Sequence, residues 1–302
     1  MYELEIARHS LQIDPHLHIW GWEIAVYLFL GGMAAGLMIL TSLLALRGEE
    51  RSPAGRWLAF APVALVSLGM MALFLDLDLK RHVLRFYFAF RWTSPMSWGA
   101  WILVAVYPVS LLLALGGLAD DQVARLGKLG SLGRALAQKL WTELRWINLA
   151  VGAGLGVYTG VLLSTLGARA IWSSALLGPL FLVSGLSTGA AFLLLFRLSP
   201  GERHFATRWD LLAMGLEALL LTLFVVGLST SGESGKEAAS LLLGGRFTAP
   251  FWTLVVIAGL AVPWALELIE SRLHLRATIA APALVLLGGL SLRWILVVAG
   301  QV

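Results

Sequence analysis

The chain has 302 residues, 59% of them hydrophobic and 13% charged, and 22 Lys and Arg against 18 Asp and Glu give a formal net charge of +4. Soluble domains carry about 25% charged residues, so this composition excludes a mostly hydrated surface; with no basic stripe on a polar face, the positive charge does not point to nucleic acid. Cysteine is absent, which excludes disulfides, thiolate metal sites and iron–sulfur clusters held by this chain alone.

Residues 1–19 are polar and acidic, without the basic n-region and apolar h-region of a cleavable signal. The first membrane helix is therefore expected to act as its own insertion signal. A bilayer crossing needs about 20 mainly apolar residues. Eight windows qualify, at about 20–46, 54–77, 95–118, 142–166, 169–198, 207–230, 248–270 and 277–300. The reading is an all-α integral membrane protein, an eight-transmembrane-helix bundle forming a single polytopic domain over 1–302. Between the third and fourth windows, 119–141 carries Val123, Leu126, Leu129, Leu132, Leu136 and Leu140 at helical spacing among Arg125, Lys128, Arg134 and Lys139. This pattern predicts an amphipathic helix lying on membrane lipid, with a solvated connector as the plainer reading.

Alternate loops hold eight and thirteen Lys and Arg, with Arg293 inside the last window. The positive-inside rule assigns the richer set to the cytoplasm. Both termini and the 1–19 segment are then periplasmic, 119–141 is cytoplasmic, and the protein is a multi-pass resident of the inner membrane. Small residues four apart, at Gly31/Ala35, Gly32/Gly36, Gly152/Gly156/Gly160 and Gly185/Gly189, predict close helix packing.

Ionisable groups within spans cost about 2.5–3.5 kcal/mol each at mid-depth. Here they are Glu23, Asp76, Glu217, Glu267 and Arg293. Arg293 reads either as a structural ion-pair partner or as part of a proton path. Glu217, near the midplane with no partner close in sequence, is a proton-relay candidate, and Asp76 and Glu267 extend such a path towards the two surfaces. The densest polar cluster is LFLDLDLKRHVLRFYFAFRWTSPMSWG, residues 73–99. If the second helix continues through it, Asp76–Lys80 and Asp78–His82 are i,i+4 pairs, while its aromatics also fit an interfacial belt. None of the six histidines, at 9, 16, 18, 82, 204 and 274, falls inside a window. A haem buried in the bundle needs ligands from the bundle, so no haem is expected. His16 and His18 lack a third ligand nearby, so no metal is expected either; His16, His18 or His82 can instead serve as a proton donor to an interfacial substrate.

WGWEIAVYLFLGGMAAG (20–36), DLDLKRHVLRFYFAFRWTSPMSWGAWIL (76–103), VYTGVLLS (157–164), Trp172 with PLFLVSGLSTGAA (179–191), and RWILVVAGQ (293–301) together resemble the NrfD family, the membrane subunits (PsrC type) of polysulfide reductases and their relatives. The second loop reads DLDLKRH where relatives commonly carry Gly and Pro. The resemblance implies a haem-free membrane subunit, not an enzyme by itself, that exchanges electrons between menaquinone or ubiquinone and a ferredoxin-like iron–sulfur subunit on the periplasmic face. A molybdopterin catalytic subunit or a multihaem cytochrome completes such complexes. Carried over residue by residue, it implies a quinone site near the periplasmic surface drawing on His16 or His18, Asp76, Arg81 or His82, and Tyr158. Quinone chemistry also moves protons, for which Glu23, Glu217, Glu267 and Arg293 are the relay candidates. The competing readings are a polytopic transporter or channel without redox function, and a structural anchor.

Overall fold

The computed structural model describes residues 20–48, 51–77, 80, 88, 90–165, 169–273 and 278–302. Among these, every regular element is helical: α1 (Trp22–Arg47), α2 (Pro53–Leu58), α3 (Ala61–Asp76), α4 (Pro95–Gly116), α5 (Asp120–Arg125), α6 (Gly127–Lys139), α7 (Trp141–Ser164), α8 (Leu177–Leu194), α9 (Pro200–Thr230), α10 (Gly232–Leu243), α11 (Thr248–Leu273) and α12 (Ala280–Ala299). Eight units are long and apolar enough to cross a membrane: α1, α2 with α3, α4, α7, α8, α9, α11 and α12. Multi-pass membrane residence follows, because a bilayer core leaves backbone polar groups only intrahelical partners.

The spans divide into two four-helix groups. α1 packs on α3 and α7, and α4 closes the group against α3 and α7; α8 packs on α9 and α12, and α11 lies against α12 and α9. The seam is made by α1 and α7 against α8, and by α1 against α12. α1 and α8 are consequently the most enclosed spans, with 78% and 72% of their apolar windows buried. Their approach uses the predicted small residues: a Cβ on Gly36 would run into the backbone at Gly185, and Gly189 lies against Gly36 and Leu37.

Local boundaries depart from the sequence windows for identifiable reasons. Ala59 and Phe60 interrupt the second span ahead of Pro62. The fifth span begins at Leu177 rather than 169, since Arg169–Leu176 forms turns. The sixth begins at Pro200 rather than 207. Ser199 Oγ accepts from the Glu202 N–H at 3.3 Å and Glu202 Oε2 accepts from the Ser199 N–H at 3.0 Å, a reciprocal cap that starts the helix early. That extension places His204 within α9, correcting the expectation that every histidine lies outside the spans. In α11, residues Phe251–Ala261 take the wider π-helical winding directly before Pro263, whose ring cannot accept a normal preceding turn.

Glu202 also joins the two groups. Its Oε2 accepts from the Ser52 N–H at 3.0 Å, and Arg51 Nε stands 3.9 Å from Oε1 while Arg51 Nη2 donates to the Gly55 carbonyl at 3.0 Å. One carboxylate thus holds the starts of α2 and α9. Within the first group, Asn148 Nδ2 donates to the Met38 carbonyl and to Ser42 Oγ, both at 2.9 Å, and its Oδ1 accepts from Ser110 Oγ at 3.0 Å. These bonds tie α1, α4 and α7 in the buried interior of the group. α6 and its C-cap turn Leu129, Leu132, Leu136 and Leu140 outward, and α6 turns the small residues Gly130 and Ala137 inward.

Candidate functional site

Each four-helix group encloses a distinct polar feature. The first group is hollow at the end where α1 begins, here called the near end. A cavity of about 280 Å³ lies among Trp20, Tyr27 and Leu28 from α1 and its approach, Met70, Phe74 and Asp76 of α3, Met96 and Leu103 of α4, and Tyr158 and Leu163 of α7. Its wall is mainly hydrocarbon and aromatic, with Asp76, Thr165 and the two tyrosines among its polar groups. Tyr158 is 7% exposed and stands where α4 contributes Gly99, because a Cβ there would overlap the phenol ring. The α4 residue opposite the tyrosine must therefore be glycine.

The near-end rim carries aromatics as well. Phe90 meets Trp92 edge-on at 4.9 Å and Trp101 at 6.0 Å, Trp98 Nε1 donates to the Trp92 carbonyl at 2.8 Å, and Trp92 is 78% exposed. An outward aromatic collar and an inward cleft thus coexist, and the 73–99 segment serves both. α3 ends at Asp76, so the expected helical spacing to Lys80 does not continue; Lys80 Nζ instead lies 5.9 Å from the Phe74 ring centroid. His16, His18, Arg81, His82 and Asp78 lie outside the described residues. Glu23, in the first turn of α1, is half-buried and does not line the cavity.

The second group is filled by ionisable side chains from three of its helices and serines from the fourth. Arg293 of α12 is fully buried; its guanidinium donates to Ser184 Oγ, to the Gly289 carbonyl at 3.1 Å and to the Phe181 carbonyl at 3.4 Å, and stacks 5.1 Å from the Phe181 ring centroid. Glu217 of α9 is buried near Arg293 and Ser184. Two turns away on the same face of α9, Asp210 accepts from Ser187 Oγ at 2.7 Å and reaches Glu267 of α11. The other Asp210 oxygen and both Glu267 oxygens are buried without a hydrogen-bond partner. Glu267 opens onto a cavity of about 500 Å³ at the far end, bordered by Arg203, His204, Thr207, Glu270 and Thr278.

The structure therefore brings Asp76 and Tyr158 to one cavity, and Glu217, Glu267 and Arg293 to the other group, while Glu23 joins neither set. Sequence reasoning missed Asp210, Tyr27 and the serines. Asp210 sits seven residues before Glu217, hence on the same helical stripe, but a window starting at 207 made it resemble a hydrated helix end. Arg293 links the two groups: it abuts Gly32 of α1, five residues or about 7.5 Å of helical rise from Tyr27.

A two-part helical bundle with one half hollowed at its end and the other threaded by buried acids defines a multi-pass membrane protein with an internal cleft. A family model described as polysulphide reductase, NrfD matches residues 11–302, and the protein belongs to the NrfD family. It is similar to the C component of polysulfide reductase from Wolinella succinogenes, 32% identical over 94% of both proteins, and to protein NrfD of Escherichia coli, 33% identical over 94% of this sequence and 95% of the other. It is also similar to the C component of tetrathionate reductase from Salmonella typhimurium, 25% identical over 95% of this sequence and 82% of that one. The family is thus one of membrane subunits of reductase complexes.

Proposed function

We propose that this protein is the quinone-reactive membrane subunit of an oxidoreductase complex, with its quinone or quinol head group in the near-end cavity. The observation that carries the proposal is the union of an apolar, aromatic wall with Asp76 and Tyr158 in one cleft of the first group. A small-molecule site of this kind needs a mainly hydrocarbon wall and a few polar groups that fix orientation. A quinol supplies two electrons and two protons on oxidation, and the reverse reaction takes up the same number. Tyr158 and Asp76 are suited to hydrogen-bond the ring oxygens and pass the protons; His16 or His18 and Arg81 or His82 complete the proposed site.

The electrons leave or enter through a partner, because the sequence has no cysteine to hold a cluster. An iron–sulfur subunit of the ferredoxin type, docked at the near end and joined to a molybdopterin or multihaem catalytic subunit, fits that requirement. With the near end periplasmic and the protein in the inner membrane, the loops richer in Lys and Arg lie in the cytoplasm and α6 lays its leucines on lipid. Glu267 and Asp210, then Glu217, Ser184 and Arg293, form the proposed proton relay between the far-end cavity and the level of Gly32. Glu23 has no place in that line. A transporter needs a path open alternately to both sides; here the buried acids and the near-end cavity lie in separate groups.

Replacing Tyr158 by Phe in the assembled complex tests the reading. Quinol turnover should fall about 10²-fold, the scale of a lost proton-transfer group, with subunit stoichiometry unchanged. Unaltered turnover would remove the tyrosine from the site and the main support from the proposal.

A further inference from the structure

The two ends of the described chain meet on the wall of the near-end cavity. Trp20 precedes α1, so its backbone N–H and carbonyl have no helical partner. The Gln301 side-chain amide takes both: Oε1 accepts from the Trp20 N–H at 2.9 Å, and Nε2 donates to the Trp20 carbonyl at 3.0 Å. Nε2 also donates to the Val297 carbonyl at 3.1 Å, which fixes the amide against the last turn of α12. Paired bonds to one residue define its backbone direction as a neighbouring strand would. The ring is held independently. The Trp20 indole lies 5.1 Å from that of Trp172, whose Nε1 donates to the Leu296 carbonyl at 2.7 Å. Backbone and ring are thus both anchored to the end of α12, 281 residues away in sequence. Trp20 is itself part of the cavity wall.

We propose that Gln301 is a positioning residue for the quinone cavity: through Trp20 it sets the wall against which the head group rests, without touching the reacting atoms. This inference rests on the quinone reading above. The geometry favours a role in the site over simple fastening of a chain end, because the amide holds a residue of the cavity wall that lies ahead of α1 and has no helical bonds of its own. Without it the approach to α1 can swing, and Trp20 leaves the cavity even while α1 and α12 remain packed.

The test uses the complete complex with Gln301→Ala and Gln301→Glu, the second keeping the acceptor for Trp20 and losing the donor. Three quantities are read: hydrogen exchange at the Trp20 amide, KM and kcat for quinol, and electron transfer from an artificial donor that bypasses quinone. Gln301→Ala should speed Trp20 exchange about tenfold or more and raise the quinol KM about five- to tenfold with a smaller change in kcat, while the bypass activity stays within about twofold. Gln301→Glu should fall between wild type and Gln301→Ala on the first two readouts. Faster exchange with an unchanged KM in either variant would reduce the clamp to architecture and overturn the proposal. Unchanged exchange in both would show that the amide does not hold Trp20, and would overturn it equally. Failure of the quinone reading is seen separately, as wild-type complex with normal bypass activity and no saturable quinol kinetics, and it removes the positioning role as well.

Discussion

Single residues divide into those that face the cavity and those that fill the second group, and each set makes its own prediction. Asp210 is completely buried and shares its environment with Glu267. Asp210→Asn keeps the Ser187 bond and removes one titrating carboxyl. If the acid line carries protons, this variant should lower the protons moved per electron while leaving quinol oxidation driven by an artificial acceptor within about threefold of wild type. Glu217→Gln should behave alike, since it lies on the same line. Proton-to-electron ratios identical to wild type in both variants would exclude the relay. Asp210 also marks the limit of what single residues disclose. Glu217, Glu267 and Arg293 stood out because hydrocarbon surrounds them in sequence, whereas Asp210 follows Arg208 and Trp209 near a span boundary. Its depth is a property of the Ser199–Glu202 cap, which starts α9 seven residues early. Tyr27 gave no signal because a tyrosine in an apolar helix looks like a filler until the opposing helices are known.

At the level of elements, two contacts fix how helices meet around the cleft. Gly99 of α4 leaves the room that Tyr158 of α7 occupies. Gly99→Ala should therefore reproduce the quinol defect of Tyr158→Phe, at about tenfold or more, although residue 99 bears no functional group. Wild-type kinetics would show that α4 shifts without moving the phenol. Asn148 holds α1 and α4 to α7 through three hydrogen bonds. Such bonds in membranes are worth about 0.6 kcal/mol each, and Asn148→Leu should lower stability by about 1–2 kcal/mol, the loss of several such bonds, read as a lower denaturation midpoint in detergent. An unchanged midpoint would assign the node no structural weight. The existence of the eight spans was legible, as apolar length is enough to recognise a crossing. Their ends were less so, because caps and turns such as Arg169–Leu176 retain apolar residues while breaking the helix.

The whole molecule separates two polar features in space. The first four spans enclose the cleft, the second four enclose the acids, and Arg293 stands at the seam beside Gly32. Sequence reasoning reached the family, and it spread Asp76, Glu217 and Glu267 along one path from surface to surface. The division into two groups was invisible, since nothing in the order of hydrophobic windows says that α1 packs on α8 and α12 as well as on its sequence neighbours. The glycine pairs of α1 and α8 carried that information in part: they announced a close crossing without naming its partner. Quinone is proposed to enter the first group. A quinone bearing a photoreactive group on its ring, activated in the assembled complex and mapped by peptide mass spectrometry, tests this most directly. Labels are expected on Trp20–Leu28, Met70–Leu77, Met96–Leu103 and Tyr158–Thr165, suppressed by excess unlabelled quinone. Competable labelling confined instead to the apolar groove between α9 and α11, at Met214, Thr222, Trp252 and Trp264, would contradict it.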